Sequence, residues 1–365
     1  MIYLRNRSQY LSNLILFILT PILYLQILKL SAVTIKDIAR ELGLSTSTVS
    51  RALRDSHEIS EATKKIILEH AKKINYKPNR NAQSLKEKKS LSIGVIVCEI
   101  ANSFFSQVIN GIESIASTNG YTVNIAQSME SADRELINLE YLTSSFIDGL
   151  IISVSTETKN FPYLKQLHER GLPIVFVDRV MDDIETHKVI ADNYKGAYKA
   201  TKYLLNKGYK RIALVSNNEG LSIAKERREG YEAALQENGI PIRKGLIAHC
   251  DNGGMVYAEV ETAMKNLLKQ KPDVIFAGSD KITTGCMKFL KAKKINIPKE
   301  LALIGFSNND LTELLNPSLS VIRQPAFEMG QAAMTLLLSL IESKRPQTKF
   351  ETRIQSTELL IRQST

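Results

Sequence analysis

Two groups of side chains have types and spacings that could do chemistry, and both favour binding. The first lies in STSTVSRAL, residues 45–53, where several hydroxyl groups and a guanidinium stand close together. Such groups form hydrogen bonds with phosphate oxygens and base edges. The second group follows short apolar runs beyond residue 90 and is rich in Asp, Asn, Ser and Arg. Side chains of this kind hold hydroxyl-bearing small molecules.

Catalytic and metal-binding motifs are missing from the sequence. It contains no GxSxG, HExxH or Walker motif, no GxGxxG turn, and no histidines at metal-ligand spacing. Cys98, Cys250 and Cys286 are widely spaced and form no CxxC pair, which argues against disulfides or zinc and favours a reducing compartment. We therefore expect a protein that is not an enzyme and that uses no cofactor or metal.

The positive charge is concentrated before residue 90. The 365 residues carry a net charge of +10, with +3 in residues 1–32, +6 in residues 33–90 and +1 in residues 91–365. A small basic segment before a large neutral body is typical of a protein whose N-terminal part meets a polyanion. A basic surface that is merely solvated remains the alternative. The length allows two or three globular domains.

Helical periodicity with one interruption predicts the element that carries the first group. Residues 34–53, TIKDIARELGLSTSTVSRAL, contain a capping box of Thr34 and Asp37, a helix that ends at Gly43, and a second helix capped by Ser45. Because glycine adopts the left-handed conformation of such a turn, we predict a helix-turn-helix, with a third helix after Ser60. The predicted core residues are Ile35, Ile38, Ala39, Leu42, Val49, Ala52, Leu53, Ile66, Ile67, Ala71 and Ile74.

The outward face of the second helix carries Thr46, Ser47, Ser50 and Arg51 and no acidic residue. Such a face fits the major groove, where Arg51 can bind a guanine edge or a phosphate. A small helical bundle with a polar surface is the alternative.

A basic segment follows the third helix. Pro78 ends that helix, and Asn79 can cap a short new one in which Leu85 stands among basic residues. Leu85 is either a plain linker residue or an apolar wedge for the minor groove.

The segments TIKDIARELGLSTSTVSRAL, NYKPNRNAQSL and SIGVIV resemble the head, hinge helix and core start of the lactose-repressor (LacI/GalR) family of bacterial transcription regulators. The resemblance extends from about residue 33 to the end. It implies hinge helices that pair in the minor groove with Leu85 as the lever, and a recognition helix with Thr46, Ser47 and Arg51 in its reading positions. The residues predicted to contact DNA are Thr34, Ser45, Thr46, Ser47, Thr48, Ser50, Arg51, Asn79, Arg80, Gln83 and Leu85.

Beyond residue 90, short apolar runs alternate with helical segments. The runs predicted as buried parallel strands are residues 92–97, 121–126, 149–153, 173–177, 211–215, 273–277 and 301–306. This alternation predicts an α/β fold with helices on both sides of each sheet, and about 275 residues exceed one such core. We predict two lobes of doubly wound parallel sheets, and the resemblance implies a body like that of periplasmic binding proteins.

The second group of side chains lies where ligands of open α/β sheets bind, outside the carboxyl ends of the strands. The resemblance implies that Asp178 and Arg227 hold sugar hydroxyls. This sequence departs from the family pattern at two places. It has Ser279-Asp280 where Asn-Asp is usual, and GFSN at residues 305–308 where GFDD or GYDD is usual. The resemblance therefore does not identify a particular sugar. Ordinary turn residues and helix caps are the alternative. The residues predicted to bind the effector are Asn102, Phe104, Phe105, Ser153, Asp178, Arg179, Asp192, Arg227, Asp280 and Ser307.

The predicted domains are an apolar extension (residues 1–32), a helix-turn-helix domain (33–78), a hinge helix with linker (79–90), and an effector-binding and dimerisation core (91–365). We expect the chain to cross between the two lobes near residues 191, 320 and 348. Residues 11–30 are apolar enough to suggest an extension outside the working protein, a membrane anchor or a cleaved signal peptide.

These expectations combine into a cytoplasmic transcription regulator, with repression favoured, that binds double-stranded DNA and senses a sugar-like solute between its lobes. The chain ends without a leucine heptad, so we expect a homodimer on a palindromic operator. Two alternatives stay open. One is a solute-binding protein that is exported or tethered to a membrane through residues 11–30. The other is a regulator that senses a protein co-regulator.

Overall fold

The computed structural model describes residues 33–76, 89–343, 345 and 347–365. It divides into two compact units at residues 90 and 91, which are described separately. The first unit contains the head, which we define as residues 33–76. The head has three helices: α1 (Ile35–Leu42), α2 (Thr46–Ala52) and α3 (Glu61–Lys73). Across the described parts of the chain, no helix is long and apolar enough to span a membrane.

Local hydrogen bonds explain where the head helices begin and end. The Asp37 carboxylate accepts from the Thr34 backbone N–H at 3.0 Å and from the Thr34 hydroxyl at 2.7 Å. Helix α1 ends at Gly43, whose φ of 64° is left-handed, a conformation that glycine adopts at low cost. The Ser45 hydroxyl accepts from the Thr48 N–H at 3.1 Å at the start of α2. Ser60 caps α3 in the same way through Thr63.

The core of the head departs from the sequence prediction at one position. Ile38, Ala39, Val49, Ala52, Ile67 and Ala71 are buried together. Ile66, in contrast, is 56% exposed, so its predicted place in the core is wrong. Helix α3 turns the face of residues 64, 67 and 71 inward, and Ile66 lies about 100° away from Ile67 around the helix axis. Lys64 is buried at that face and pairs with Asp55 at 2.7 Å and with Glu61 at 2.8 Å.

The first lobe of the body is built on six strands. They are β1 (Ser92–Val97), β2 (Thr122–Gln127), β3 (Gly149–Ile152), β4 (Ile174–Val177), β5 (His187–Ala191) and β11 (Thr352–Gln355). All pair in parallel, in the order β11-β5-β4-β3-β1-β2. The helices packed on this sheet are α4 (Ser103–Thr118), α5 (Ala132–Ser144), α6 (Pro162–Glu169) and α11 (Ala326–Glu342).

The second lobe repeats this plan. Its strands are β6 (Ile212–Asn217), β7 (Ile247–Cys250), β8 (Val274–Ala277), β9 (Ala302–Phe306), β10 (Ser320–Arg323) and β12 (Glu358–Leu360), in the order β12-β10-β9-β8-β6-β7. All pairs are parallel except β10 with β12. Its helices are α7 (Asn193–Asn206), α8 (Ser222–Glu237), α9 (Tyr257–Lys269) and α10 (Asp280–Ala292), with 3₁₀ turns at Lys244–Leu246 and Asp310–Glu313.

The chain crosses between the lobes three times. The first crossing lies between Ala191 and Asn193, and the second between Arg323 and Ala326. The third lies between Gln355 and Glu358, which corrects the predicted position near 348. The chain stays in the first lobe longer because residues 352–355 pair with β5 along the whole of β11.

Burial on both faces explains the apolar runs. In β1, Ile93, Val95 and Val97 face one core cluster, and Ile96 faces another on the opposite side of the sheet. Strand β2 is the exception, because it lies at the edge of the sheet. Its Ile125 is 42% exposed. A strand is present at Thr122–Gln127, but the prediction that the strand at 121–126 is buried is wrong.

Glycines allow helix pairs to pack closely within each lobe. A Cβ atom at Gly111 of α4 would lie 2.0 Å from the Phe327 carbonyl oxygen, and one at Gly330 of α11 would lie 2.1 Å from the Val108 carbonyl oxygen. In the second lobe, a Cβ at Gly230 would lie 2.2 Å from the Tyr194 carbonyl oxygen. These distances are far below van der Waals contact, so a side chain at any of these positions would push the helices apart.

The substitution Gly111→Ala should lower the free energy of unfolding by about 1–3 kcal/mol, because the added methyl group meets backbone that must move. Chemical denaturation of the full chain measures this. Gly245→Ala is the matched control, since its nearest neighbour at 3.3 Å is the flexible end of Gln270. Equal losses in the two variants would contradict the close α4–α11 contact.

Candidate functional site

The hydroxyl groups of α2 form a connected and largely exposed set. The Ser45 hydroxyl lies 2.7 Å from that of Ser47 and 2.8 Å from that of Thr48. Thr46 and Ser47 are exposed, whereas Thr48 and Ser50 are half-buried. Arg51 is exposed and forms an ion pair with Glu58 at 2.8 Å. This face offers hydrogen-bonding groups to a partner, and the guanidinium is held in place by an acidic side chain of the following loop.

The other residues predicted to contact DNA either use their polar groups within the head or lie outside the described residues. Thr34 uses its N–H and hydroxyl within the α1 cap, so its described contacts are local. Asn79, Arg80, Gln83 and Leu85, with the predicted hinge helix, lie outside the described residues, as does the extension 1–32.

Buried polar atoms without partners lie at the carboxyl ends of strands in both lobes, where the lobes face each other, and we call this region the cleft. Across the described ranges, six buried side-chain N or O atoms lack a hydrogen bond. Five of them belong to residues at or within two residues of a strand's carboxyl end: Ser128 after β2, Ser153 after β3, Arg179 after β4, Asn217 in β6 and Gln324 after β10. Buried polar groups are nearly always satisfied in folded proteins. Five such atoms at strand ends therefore indicate a place where a polar ligand completes the bonding.

Asp178 and Arg227 lie in this region, as the sequence predicted. Asp178 is buried and has a left-handed φ of 64°, a strained conformation that Asp tolerates better than most residues. Burial raises the pKa of Asp178, against the opposing charges of Arg179 and Arg227. The amide of Gln324 also interacts with this carboxyl group, but its Nε2 has no bond of full hydrogen-bond geometry.

Arg227 is fixed by neutral acceptors. Its guanidinium donates to Asn193 Oδ1 at 2.9 Å, to the Gly278 carbonyl oxygen at 2.6 Å and to Gln324 Oε1 at 3.2 Å. Its Cζ atom lies 3.8 Å from the centre of the Phe306 ring. Burial lowers the pKa of Arg227 to about 10, and these contacts keep the cation in place despite the loss of water.

Arg179 has a carboxylate partner that the sequence did not predict. Its Nη1 and Nη2 donate to the two oxygens of Glu130 at 2.7 and 2.9 Å, a bidentate ion pair. Glu130 also accepts from the N–H and hydroxyl of Thr156, each at 2.8 Å. Burial would favour the neutral acid, but the Arg179 charge and these hydrogen bonds lower the pKa of Glu130. A Cβ at Gly253 in the second lobe would lie 3.9 Å from Glu130 Oε1, so the ion pair reaches the facing lobe.

Asp192, Asp280 and Ser307 already have partners. Asp192 caps α7 by accepting from the Lys195 N–H at 3.0 Å, and it pairs with the Lys195 ammonium at 2.9 Å. The Ser307 hydroxyl donates to the Asp280 carboxylate. Ser307, which stands where the family usually has an acidic residue, thus interacts with a neighbouring carboxyl group.

Of the remaining residues predicted to bind the effector, three have structural roles and one has a hydroxyl group without a partner. Asn102 caps α4 by accepting from the Phe104 N–H at 2.9 Å. Phe104 and Phe105 contact each other edge to face at 5.2 Å and belong to the core of the first lobe. Ser153 is fully buried, and its hydroxyl has no partner, so it is open to a ligand.

Polar contacts join the two lobes across the cleft. Lys281 of the second lobe pairs with Glu99 of the first at 2.8 Å. Gln107 of the first lobe donates to the Asn308 carbonyl oxygen at 3.1 Å, and the Asn308 amide donates to Gln107 Oε1 at 2.8 Å. The structure thus has the lobes in contact.

Sequence reasoning missed Ser128, Glu130, Asn217, Gln324 and Gln107 as site residues. Ser128, Glu130 and Asn217 lie just beyond the predicted strands at 121–126 and 211–215. They therefore occupy the same kind of strand-end position as the residues that were predicted. Gln324 follows β10, a strand that was not predicted. Gln107 lies on a helix and carries no signal in the sequence.

A three-helix head with a helix-turn-helix, joined in one chain to a two-lobed body with a polar cleft, defines a ligand-responsive DNA-binding regulator. Comparisons with known proteins agree. Residues 34–79 match the model of bacterial regulatory proteins of the lacI family, and residues 90–363 match that of periplasmic binding proteins and sugar binding domain of LacI family. The chain belongs to the LacI family of transcriptional regulators and is not an enzyme.

Individual relatives cover nearly the whole chain. The HTH-type transcriptional repressor CytR of Escherichia coli K12 is 33% identical over 339 residues, which is 92% of this chain and 97% of CytR. The transcriptional regulator CelR in complex with cellobiose is 25% identical, with a TM-score of 0.68, and covers 91% of this chain and 100% of that one. The lac repressor dimer bound to operator and the anti-inducer ONPF has the same fold, with 22% identity, a TM-score of 0.75, and coverage of 92% and 99%.

Glu135 lies on α5, five residues after Glu130, and we expect it to make the stability of the first lobe depend on pH. It is fully buried and accepts from the Ser155 N–H at 2.8 Å and from the Thr158 hydroxyl. Burial raises the pKa of Glu135 to about 7 from 4.5. The folded state thus binds this proton more tightly than the unfolded state. The resulting stability is fully present below pH 4.5 and is lost as the pH rises through about 7.

The substitution Glu135→Gln should remove this dependence, raising the free energy of unfolding above pH 7 by about 3 kcal/mol relative to wild type. Urea denaturation between pH 4.5 and 8 measures the slope. Glu140→Gln, an exposed position on the same helix, is the matched control. Identical slopes in wild type and Glu135→Gln would contradict the assignment.

Proposed function

We propose that this regulator is a homodimeric repressor of the cytoplasm that binds a palindromic operator and responds to a sugar or related metabolite held between the lobes of the body. The observation that carries the effector site is the set of five buried, unpartnered polar atoms at strand ends. Asp178 and Arg227 lie with them, where paired oxygens and N–H groups suit adjacent hydroxyls. The relative CelR has cellobiose in its complex, which supports a sugar-like ligand.

The signal would pass through the relative position of the lobes. An effector that binds one arrangement more tightly shifts the population toward it. The interlobe contacts of Lys281 with Glu99 and of Gln107 with Asn308 would break or form in that shift. A change at the lobes then alters the affinity of the head for DNA through the linker.

The exposed face of α2 would contact bases through Thr46, Ser47, Ser50 and Arg51, and the hinge segment would add Asn79, Arg80, Gln83 and Leu85 in the minor groove. Ser45 and Thr48 would contribute at the phosphate backbone near the start of α2, as would Thr34 at the start of α1. The charge excess of residues 33–90 supports this assignment.

The substitution Arg51→Ala should weaken binding to a duplex selected from random DNA by about 1–3 kcal/mol if Arg51 contacts a base edge. Fluorescence anisotropy with the selected and an unrelated duplex separates a base contact from a phosphate contact, which would weaken both alike. Arg40→Ala is the matched control, since Arg40 is also exposed and paired with an acidic residue, Asp37. Wild-type affinity in Arg51→Ala would remove this residue from the interface.

We expect sedimentation of the full chain to give the molecular mass of a dimer. A dimer with two-fold symmetry can place its two heads on two half-sites one helical turn apart. Exposed apolar side chains in both lobes, among them Ile125, Val256, Leu311 and Leu314, offer surface for a second copy to cover. The selected DNA should contain an inverted repeat. A monomer in sedimentation, or a selected site without two-fold symmetry, would contradict the dimer.

A further inference from the structure

The two arginines buried in the body have no free bidentate face for an anionic ligand. The paired N–H groups of Arg179 that suit a carboxylate or phosphate are bound to Glu130 at 2.7 and 2.9 Å. Its Nη1 also lies 3.2 Å from Cys98 Sγ and 3.3 Å from the Thr156 hydroxyl. Arg227 donates from all three nitrogens to protein acceptors, and one face of its guanidinium is covered by Phe306.

Two buried and two half-buried acidic side chains lie around the cleft. Glu130 and Asp178 are buried, whereas Asp280 and Glu226 are half-buried. Glu226 accepts from the Asn193 amide at 3.0 Å, beside Arg227. Burial raises the pKa of Asp178, Asp280 and Glu226. Loss of water is the main cause of each shift, and it disfavours an added negative charge in the same way.

The atoms that still need partners suit neutral groups. Ser128 Oγ and Ser153 Oγ can both donate and accept, Asn217 Oδ1 accepts, and Gln324 Nε2 donates. Hydroxyl groups of a sugar or a nucleoside both donate and accept, so they match these atoms in kind. The one unpartnered guanidinium atom, Arg179 Nε, faces Asp178 Oδ2 at 3.9 Å, so it is also close to a carboxylate.

Building on the proposed effector site, we infer that the cleft selects effectors without negative charge, and that Glu130 enforces this selection by occupying the guanidinium of Arg179. Carboxylates and phosphates are recognised best by bidentate arginine contacts. Glu130 acts here as a built-in carboxylate that an anionic ligand would have to displace. The sugar acids and sugar phosphates corresponding to the effector are thereby rejected.

Matched pairs of ligands test the inference on the full chain. Isothermal titration with glucose against glucuronate, ribose against ribose 5-phosphate, and uridine against uridine 5′-monophosphate compares neutral and anionic forms of one scaffold. In the wild type, the neutral member of a binding pair should bind at least about tenfold more tightly than the anionic one. A wild type that binds the anionic member as tightly or more tightly overturns the inference but leaves the effector site standing.

The substitution Glu130→Gln tests the role of that residue. It keeps the shape of the side chain but removes its charge, so the anionic member of the pair should gain at least about tenfold in affinity. Glu135→Gln is the matched control, since Glu135 is a buried carboxyl group of the same lobe that bonds to Ser155 and Thr158 and not to Arg179. A folded Glu130→Gln protein without this gain, or an equal gain in Glu135→Gln, overturns the role of Glu130.

The wild-type comparison needs no variant, so the charge selection remains testable if Glu130→Gln does not fold. A melting curve without ligand establishes folding for each variant. Failure of every pair to bind the wild type would contradict the proposed effector site itself, and the inference would fall with it.

Discussion

Three crossings of the chain between the two sheets determine what the body can do. Each crossing ties a strand of one sheet to an element of the other, so the carboxyl ends of both sheets border one cleft. Residues at those ends lose water when the lobes meet, and each polar group among them then needs a partner. The pairing of Arg179 with Glu130, the contacts of Arg227, and the unpartnered Ser153 and Gln324 all follow from that constraint.

Strands buried on both faces were the predictable part of the fold. The seven predicted runs correspond to β1, β2, β3, β4, β6, β8 and β9. The others lack an apolar run of comparable length, as HKVIA in β5 and TRIQ in β11 illustrate, because charged or polar residues shorten it. Strand β11 is partly exposed, and its place is set by pairing with β5, which is distant in sequence. No local pattern encodes that pairing, so the third crossing was misplaced.

The site was predictable where chemistry and position coincide in sequence. Asp178, Arg179, Arg227 and Ser153 follow a predicted strand or a family motif, and they lie in or beside the cleft. The roles of partners were not predictable. Glu130 lies 49 residues from Arg179, and Ser307 lies 27 residues from Asp280. Which acidic group neutralises which basic group depends on how the strand ends meet, and this is information that only the assembled sheet holds.

The described contacts between the lobes are individually weak, and this makes control by a small molecule feasible. A partly exposed ion pair such as Glu99 with Lys281 contributes about 0–1 kcal/mol, and hydrogen bonds such as those between Gln107 and Asn308 contribute about 1 kcal/mol each. Reversing a two-state population from 1:99 to 99:1 takes about 5.5 kcal/mol of differential affinity.

An effector can supply that difference by completing the polar atoms that the protein leaves unpartnered, since each unsatisfied buried group costs about 1–3 kcal/mol. These atoms come from both sides of the cleft, with Ser128 and Ser153 in the first lobe and Asn217 in the second. A ligand that touched one lobe alone would bind both arrangements equally and shift nothing. In the proposed mechanism, contacts of the effector with unsatisfied groups of both lobes would couple binding to a change of lobe arrangement.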